Sequence, residues 1–239
     1  MPGLVSIPGR ALTSVSLQTL QAARRVLGTA SLERAVDGKV LVFTGLGSAV
    51  EREAAAALGH AGATVEFAIG EQGCPLSDAQ AVERLARSVL RRHGGVDVLV
   101  NGTTAGDAGD FQRAMQIGYF TPVRLALAFL PGMRARHSGH IVNLRSPVPR
   151  AERGDQAAGL SAHAALSSFS RCLAAEMLHE RVAVSAYELP RGDDPRAAAG
   201  LCDVIAERPK RAGGPGGPAL ALRRRAARSL GRSRPGAAG

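Results

Sequence analysis

The chain of 239 residues is long enough for one domain of ordinary size with short extensions at its ends. Hydrophobic residues make up 45% of it, which permits a sizeable core, whereas aromatic residues make up only 3% and include no Trp. This scarcity argues against nucleic-acid binding through stacked aromatic side chains. The cysteines Cys74, Cys172 and Cys202 are far apart and odd in number, which argues against a disulfide scaffold or metal site and favours a reducing, cytoplasmic location.

The net charge of +10 is concentrated at the carboxyl end of the chain. Residues 208–239 contain nine basic residues and no acid, and subtracting those nine charges leaves +1 for residues 1–207. Because residues 208–239 are rich in Gly, Pro and Arg, we expect them to form a largely disordered tail. An alternative hypothesis is that this tail binds nucleic acid or an anionic membrane.

From residue 38 onward, apolar runs typical of buried strands alternate with stretches typical of helices. Residues 1–37 are predicted to be an N-terminal extension with a helix between about Ser16 and Leu27. Strands are predicted at 39–45, 63–70, 96–102, 140–144 and 182–190, and helices at 50–60, 78–93, 111–136, 160–179 and 197–207. This alternation predicts an α/β domain over residues 38–207 with a Rossmann-like, doubly wound parallel sheet.

Residues 38–65, GKVLVFTGLGSAVEREAAAALGHAGATV, resemble the opening of a short-chain dehydrogenase/reductase, where a strand runs into T-G-x-x-x-G-x-G and a helix. The similarity continues at HGGVDVLVNG and SAHAALSSFSRCLAAEM and covers about residues 36–210. The stretches SGHIVN and FSRCLAAE resemble the NADP-dependent branch related to fatty acyl-CoA reductases. This resemblance implies a nicotinamide cofactor, NAD(P), that exchanges a hydride with a carbonyl or an alcohol.

The resemblance also implies four catalytic groups, of which this chain keeps one. Family members use a tyrosine as acid or base, a lysine four residues later that lowers the tyrosine pKa, a serine and an asparagine. Ser146 matches the serine, whereas Gly159, His163 and Gly118 stand at the tyrosine, lysine and asparagine positions. We therefore expect no normal hydride transfer, because a positioned acid or base contributes roughly 10²–10⁴ to the rate.

Other side chains could take over the role of the missing acid. His163 has a suitable unperturbed pKa, and an alternative hypothesis is an active NAD(P)-dependent oxidoreductase that uses Ser146 and His163 on a carbonyl or alcohol. The only two tyrosines, Tyr119 and Tyr187, are expected to be core residues instead.

The loop that would bind the cofactor is also altered. The candidate cofactor-binding residues are Thr44, Gly45, Gly47, Ala49 and Asn101. Ala49 stands at the second glycine of the family motif, and Glu51 stands at the third, which puts a carboxylate where the pyrophosphate would lie. That carboxylate would also stabilise the helix dipole by about 0.3–1 kcal/mol. NAD(P) is thus the cofactor that the resemblance implies, and Glu51 argues against its binding.

Two segments of the family fold are missing from this sequence. A helix and a strand of roughly 20–25 residues are missing between Gln72 and Gly73, and a substrate-covering lid is missing between Pro195 and Ala197. The strand at 63–70 is therefore predicted to be an exposed sheet edge, where Glu66 discourages pairing. Without a lid, the site would be open to water.

These substitutions and deletions favour a degenerate family member that acts as a binding or dimerisation partner. In the family, the helices that correspond to 120–136 and 161–180 pair with those of a second subunit. Small residues such as Ala162, Ala165 and Ala174 are compatible with such pairing. We therefore expect a homodimer, or a heterodimer with a related active protein.

Overall fold

The computed structural model describes residues 4–6, 29–44, 48–68, 78–102, 110–145, 154–189, 194 and 196–207. Its strands are β1 (Leu4–Ser6), β2 (Val40–Thr44), β3 (Thr64–Ala68), β4 (Val98–Asn101), β5 (Gly139–Arg145) and β6 (Val182–Glu188). Its helices are α1 (Thr29–Val36), α2 (Ala49–His60), α3 (Ala79–His93), α4 (Phe111–Met115), α5 (Thr121–Ala135), α6 (Ala157–Glu176) and α7 (Ala197–Glu207). A π-helical turn (Gln116–Phe120) joins α4 to α5, and 3-10 turns (Gly154–Gln156 and Met177–His179) flank α6. The predicted helix at 16–27 and the basic tail at 208–239 lie outside the described residues.

The described strands form one sheet in the order β1-β3-β2-β4-β5-β6, in which β2 to β6 run parallel. Helices α1, α2 and α7 pack on one face of this sheet, and α3, α5 and α6 pack on the other. The parallel strands are mainly apolar because strands between two helical layers are buried on both faces, and their buried polar residues include Glu66 and Asn143. The predicted Rossmann-like, doubly wound α/β fold is confirmed.

The prediction that the strand at 63–70 forms an exposed edge is wrong. The N-terminal strand β1 pairs antiparallel with β3, and Leu4, Val5 and Ser6 lie opposite Ala68, Phe67 and Glu66. An uncovered edge would leave a row of backbone N–H and C=O groups unpaired, and β1 supplies their partners. The N-terminal extension thus contributes to the sheet where the family's additional strand is missing.

Glu66 was predicted to discourage pairing at this edge, but its backbone lies opposite Ser6 and takes part in the pairing with β1. Its side chain is buried beneath α3, where Oε1 lies 2.8 Å from His93 Nε2 and accepts a hydrogen bond from Arg92 Nη1 at 3.2 Å. These partners at the end of α3 offset part of the cost of burying the carboxyl group, whereas Oε2 is buried without a hydrogen-bond partner among the described residues. Glu66 therefore anchors the last turn of α3 to the edge strand.

No helix in the described part of the chain is long and apolar enough to cross a membrane. Among the same residues, no group of three or more His, Cys, Asp or Glu side chains could hold a metal ion. Cys172 is an exposed thiol on α6, and Cys202 is a buried thiol on α7. Cys74 lies outside the described residues.

Candidate functional site

A series of buried hydrogen bonds, here named the polar chain, connects the carboxyl ends of β2, β4 and β5 to α6. Thr44 Oγ1 donates to Asn101 Oδ1 at 3.2 Å, and Asn101 Nδ2 donates to Asn143 Oδ1 at 2.7 Å. Asn143 Nδ2 donates to Ser170 Oγ at 2.7 Å, and Ser170 Oγ donates to the Leu166 carbonyl at 2.6 Å. Because all four side chains are buried and every link is made, the polar chain fixes α6 against the sheet.

The polar chain includes two residues that the sequence assigns to cofactor binding, Thr44 and Asn101. In the structure both side chains are used for internal hydrogen bonds. Asn143 and Ser170 were not anticipated from the sequence. The signal for Asn143 is its polar side chain within the apolar strand HIVNL, level with Asn101 in the sheet register.

Helix α2 begins with a capping box formed by Ser48 and Glu51. Ser48 Oγ accepts from the Glu51 backbone N–H at 3.2 Å, and Glu51 Oε2 accepts from the Ser48 backbone N–H at 2.7 Å. Glu51 is only 3% exposed. Burial raises the pKa of its carboxyl, while the hydrogen bonds from Ser48 and the charge of Arg52 act in the opposite direction.

The other carboxylate oxygen of Glu51 lies against Gly102, the residue that follows β4. A Cβ atom at Gly102 would collide with Glu51 Oε1 and with the Thr44 carbonyl. The Gly102 N–H donates to that carbonyl at 2.6 Å, which fixes the backbone of Gly102 close to the end of β2. Glu51 therefore fills the space between the first turn of α2 and the ends of β2 and β4.

The described start of α2 differs from a dinucleotide phosphate site. Rossmann-type proteins bind the pyrophosphate with free N–H groups at the start of the helix that follows the first parallel strand. In this chain the Glu51 carboxylate accepts the Ser48 N–H, and the Ser48 hydroxyl accepts the Glu51 N–H. Ala49, which stands at the second glycine of the family motif, adds a side chain at the same turn. Gly45 and Gly47 lie outside the described residues.

The predicted catalytic positions lie where the π-helical turn meets α6. A Cβ atom at Gly118 would lie 3.0 Å from the Cβ of Ala162, so the two elements touch without room for a larger residue. Among the described residues, none lies within 4 Å of the place that a Cβ atom at Gly159 would take, so this part of the structure leaves open space at the predicted tyrosine position. Ser146 lies outside the described residues, and its catalytic role stays a prediction.

His163 is half-buried one helical turn after Gly159. Burial lowers the pKa of the imidazole, and the positive charge of Arg145 lowers it further. The ring is therefore neutral at pH 7. Its use as an acid or base stays a prediction.

Tyr187 does not replace the missing tyrosine. Its hydroxyl donates to the Ala197 carbonyl of α7 at 2.8 Å, and the ring packs on the face of the sheet opposite α6. Burial, with a smaller effect of the charges of Asp194 and Asp203, raises the pKa of Tyr187 to about 12. Tyr119 packs edge-on against Phe120, with the ring centroids 5.1 Å apart.

The parallel sheet and the residues at its carboxyl edge define a Rossmann-like α/β protein. The chain belongs to the short-chain dehydrogenase/reductase family, because the family model described as "short chain dehydrogenase" matches residues 26–191. Its relatives include an uncharacterised oxidoreductase of Mycobacterium tuberculosis, which is 32% identical over 78% of this chain and 70% of that protein. A fatty acyl-CoA reductase of Acinetobacter baylyi is 32% identical over 65% of this chain and 63% of its own length.

Solved structures agree with this assignment. A short-chain dehydrogenase from Streptomyces avermitilis aligns with a TM-score of 0.54 and 26% identity over 72% of this chain and 78% of that structure. A metagenomic short-chain oxidoreductase in complex with NADP aligns with a TM-score of 0.61 over 72% of this chain and 92% of that structure. At 24% identity, the second likeness concerns the fold alone.

Proposed function

We propose that this chain is a short-chain dehydrogenase/reductase that has lost hydride transfer and acts as a binding or dimerisation partner. The observation that carries the proposal is the buried Glu51, which caps its own helix where the family binds the cofactor pyrophosphate. An ionised carboxylate there repels a phosphate, and a protonated one still occupies the space between α2 and Gly102. Either form opposes NAD(P) binding.

The catalytic positions support the same proposal. Hydride transfer to a carbonyl requires a proton for the oxygen, and the family supplies it from a tyrosine next to a lysine. Gly159 has no side chain that could donate this proton, and His163 is neutral at pH 7 because its pKa is lowered. Restoring the family asparagine at Gly118 would also require Ala162 to move.

Association with a second subunit is supported by an apolar stripe that begins just before α5 and continues along it. The stripe consists of Phe120, Val123, Leu127 and Pro131. Phe120 is 41% exposed and Leu127 is 51% exposed, so the stripe faces away from the core. Of the small residues expected to face a partner, Ala162 and Ala174 instead pack inward, because α6 turns them towards the protein core. The exposed alanines and serines of α6 are Ser161, Ala164, Ser168 and Ala175.

Calorimetric titration with NADPH and NADH tests the loss of cofactor binding. We expect no micromolar binding to the wild-type protein, and tighter NADPH binding to Glu51→Gly, which removes the carboxylate. Glu53→Gly is the matched control, because it makes the same change two residues later on α2 and should bind no better than wild type. Micromolar NADPH binding by the folded wild-type protein would contradict the proposal.

Sedimentation velocity tests the association. We expect a homodimer, or a heterodimer when a related active family member is added, and we expect Leu127→Asp to shift the protein towards monomer because it buries a charge in the contact. Leu178→Asp changes another exposed leucine, 42% exposed and on the turn after α6, and should leave the dimer intact. A monomer both in the protein alone and in the presence of the related family member would exclude the association.

The fatty acyl-CoA reductase among the relatives favours one alternative, an active reductase of acyl or aldehyde substrates that uses Ser146 and His163. NADPH oxidation in the presence of a long-chain acyl-CoA or aldehyde tests it. The alternative requires turnover by wild type that His163→Gln abolishes.

A further inference from the structure

Two oppositely charged residues end neighbouring strands at the carboxyl edge of the sheet. Arg145 is the last residue of β5 and Glu188 is the last residue of β6, and the two lie opposite each other in the register. Among the described residues, no ion pair joins their side chains, and Arg145 Nε is buried without a hydrogen-bond partner. A buried guanidinium N–H without an acceptor is a costly arrangement that a bound acceptor would relieve.

Helix α6 covers the side of the sheet that Arg145 faces. Asn143 lies two residues before Arg145 on the same face of β5, and its side chain donates to Ser170 of α6. His163 lies two turns before Ser170 on that helix, towards the carboxyl edge of the sheet. Burial lowers the His163 pKa and the charge of Arg145 lowers it further, which is consistent with this placement.

Gly159 lies one turn before His163 on α6. A Cβ atom at this position would meet none of the described residues within 4 Å. The close contact between Gly118 and Ala162 holds the π-helical turn against α6 beside that space. In the described part of the chain, the unpartnered Nε of Arg145, the imidazole of His163 and the open space at Gly159 therefore lie along one side of α6. In open α/β sheets, ligands bind outside the carboxyl ends of the strands.

We propose that Arg145 and His163 bind a small carboxylate, whose apolar part occupies the open space at Gly159. This inference rests on the proposed function, since it assigns a ligand to a site that no longer serves hydride transfer. The guanidinium supplies two donors in a geometry that matches a carboxylate, and the neutral imidazole supplies one N–H.

A monoanion suits this site better than a phosphate dianion. Among the described residues of the site, Arg145 carries the one full positive charge, and Glu188 stands next to it on β6. One negative charge balances the guanidinium, whereas a second would face the Glu188 carboxylate without compensation. Glu188 also competes with any ligand for Arg145, so its removal should strengthen binding.

The probe is sodium butyrate, and the readout is the ring resonance of His163 in a proton–carbon NMR spectrum, assigned with His163→Gln. We expect saturable shifts with butyrate in the millimolar range and a higher His163 pKa in its presence, because a bound anion favours the imidazolium. Inorganic phosphate at equal ionic strength should bind more weakly. Equal or tighter phosphate binding would overturn the carboxylate assignment.

Three variants relate the binding to these residues. Arg145→Gln should weaken butyrate binding by about tenfold or more, as expected for loss of a charge-assisted hydrogen bond, and Glu188→Gln should strengthen it. Arg134→Gln is the matched control, since Arg134 pairs with Glu180 on the surface. Circular dichroism checks that each variant folds. Butyrate binding that Arg145→Gln leaves unchanged, or its absence in wild type, would overturn the proposal, and neither result bears on dinucleotide binding.

Discussion

Replacing Ser170 with alanine tests whether the polar chain stabilises the fold. The substitution removes the acceptor of Asn143 Nδ2 and leaves that amide buried without a partner. The Leu166 carbonyl is less affected, because a helical carbonyl also accepts from the backbone four residues later. The main cost is therefore one unsatisfied buried donor, about 1–3 kcal/mol.

Alanine also favours the helix over serine, by roughly 0.5 kcal/mol, which offsets part of that cost. We therefore expect Ser170→Ala to lower the free energy of unfolding by about 0.5–2.5 kcal/mol. For a domain of this size, each kcal/mol lowers the melting temperature by about 2–4 °C.

Urea unfolding followed by circular dichroism measures the change, and an unaltered dependence on urea shows that the unfolded state is comparable. Ser168→Ala on the exposed side of α6 is the matched control, and it should leave stability unchanged or raise it slightly. If Ser170→Ala is no more destabilising than Ser168→Ala, the hydrogen bonds of the polar chain do not stabilise the protein.

Two further predictions concern Glu51 and Gly118. Burial raises the pKa of the Glu51 carboxyl in the folded protein, so the folded state binds the carboxyl proton more tightly than the unfolded state does. The free energy of unfolding of the wild-type protein should therefore fall as the pH rises from the ordinary pKa of 4.5 through the raised pKa. Glu51→Gln keeps a capping side chain and should lose this dependence, as urea unfolding at several pH values will reveal; equal slopes in both proteins would contradict it. Gly118→Asn should destabilise by about 1–3 kcal/mol through overpacking against Ala162, and the double variant with Ala162→Gly should recover part of the loss in the same assay.

The sequence predicts the sheet well because each parallel strand is a mainly apolar run followed by a helical pattern. It does not predict β1, since three residues, Leu4–Ser6, have no periodicity to detect. Their pairing depends on the uncovered side of β3, which is far away in the sequence. An edge strand that is fixed by tertiary context cannot be recognised locally.

At the candidate site, the local features were predictable and the long-range ones were not. The pair Ser48 and Glu51 is a capping-box pattern within four residues, and the position of Glu51 in the glycine motif indicates its effect on phosphate binding. The contact of Glu51 with Gly102 and the link from Asn143 to Ser170 join residues that only the folded sheet brings together. The same holds for Arg145 and Glu188, which the sheet register places side by side and between which the described residues show no ion pair.

The short strand β1 sets how the edge of the sheet exchanges with solvent. Only three residues of β1 are paired with β3, so few hydrogen bonds hold this strand in the sheet. We therefore expect β1 to detach by local opening at a fraction of the global unfolding free energy. Each such opening exposes the backbone of β3 while the remaining strands stay paired. Amide protons of β3 that point towards β1 should therefore exchange with deuterium far sooner than those of β4 in the middle of the sheet, and β3 is where intermolecular strand pairing would begin.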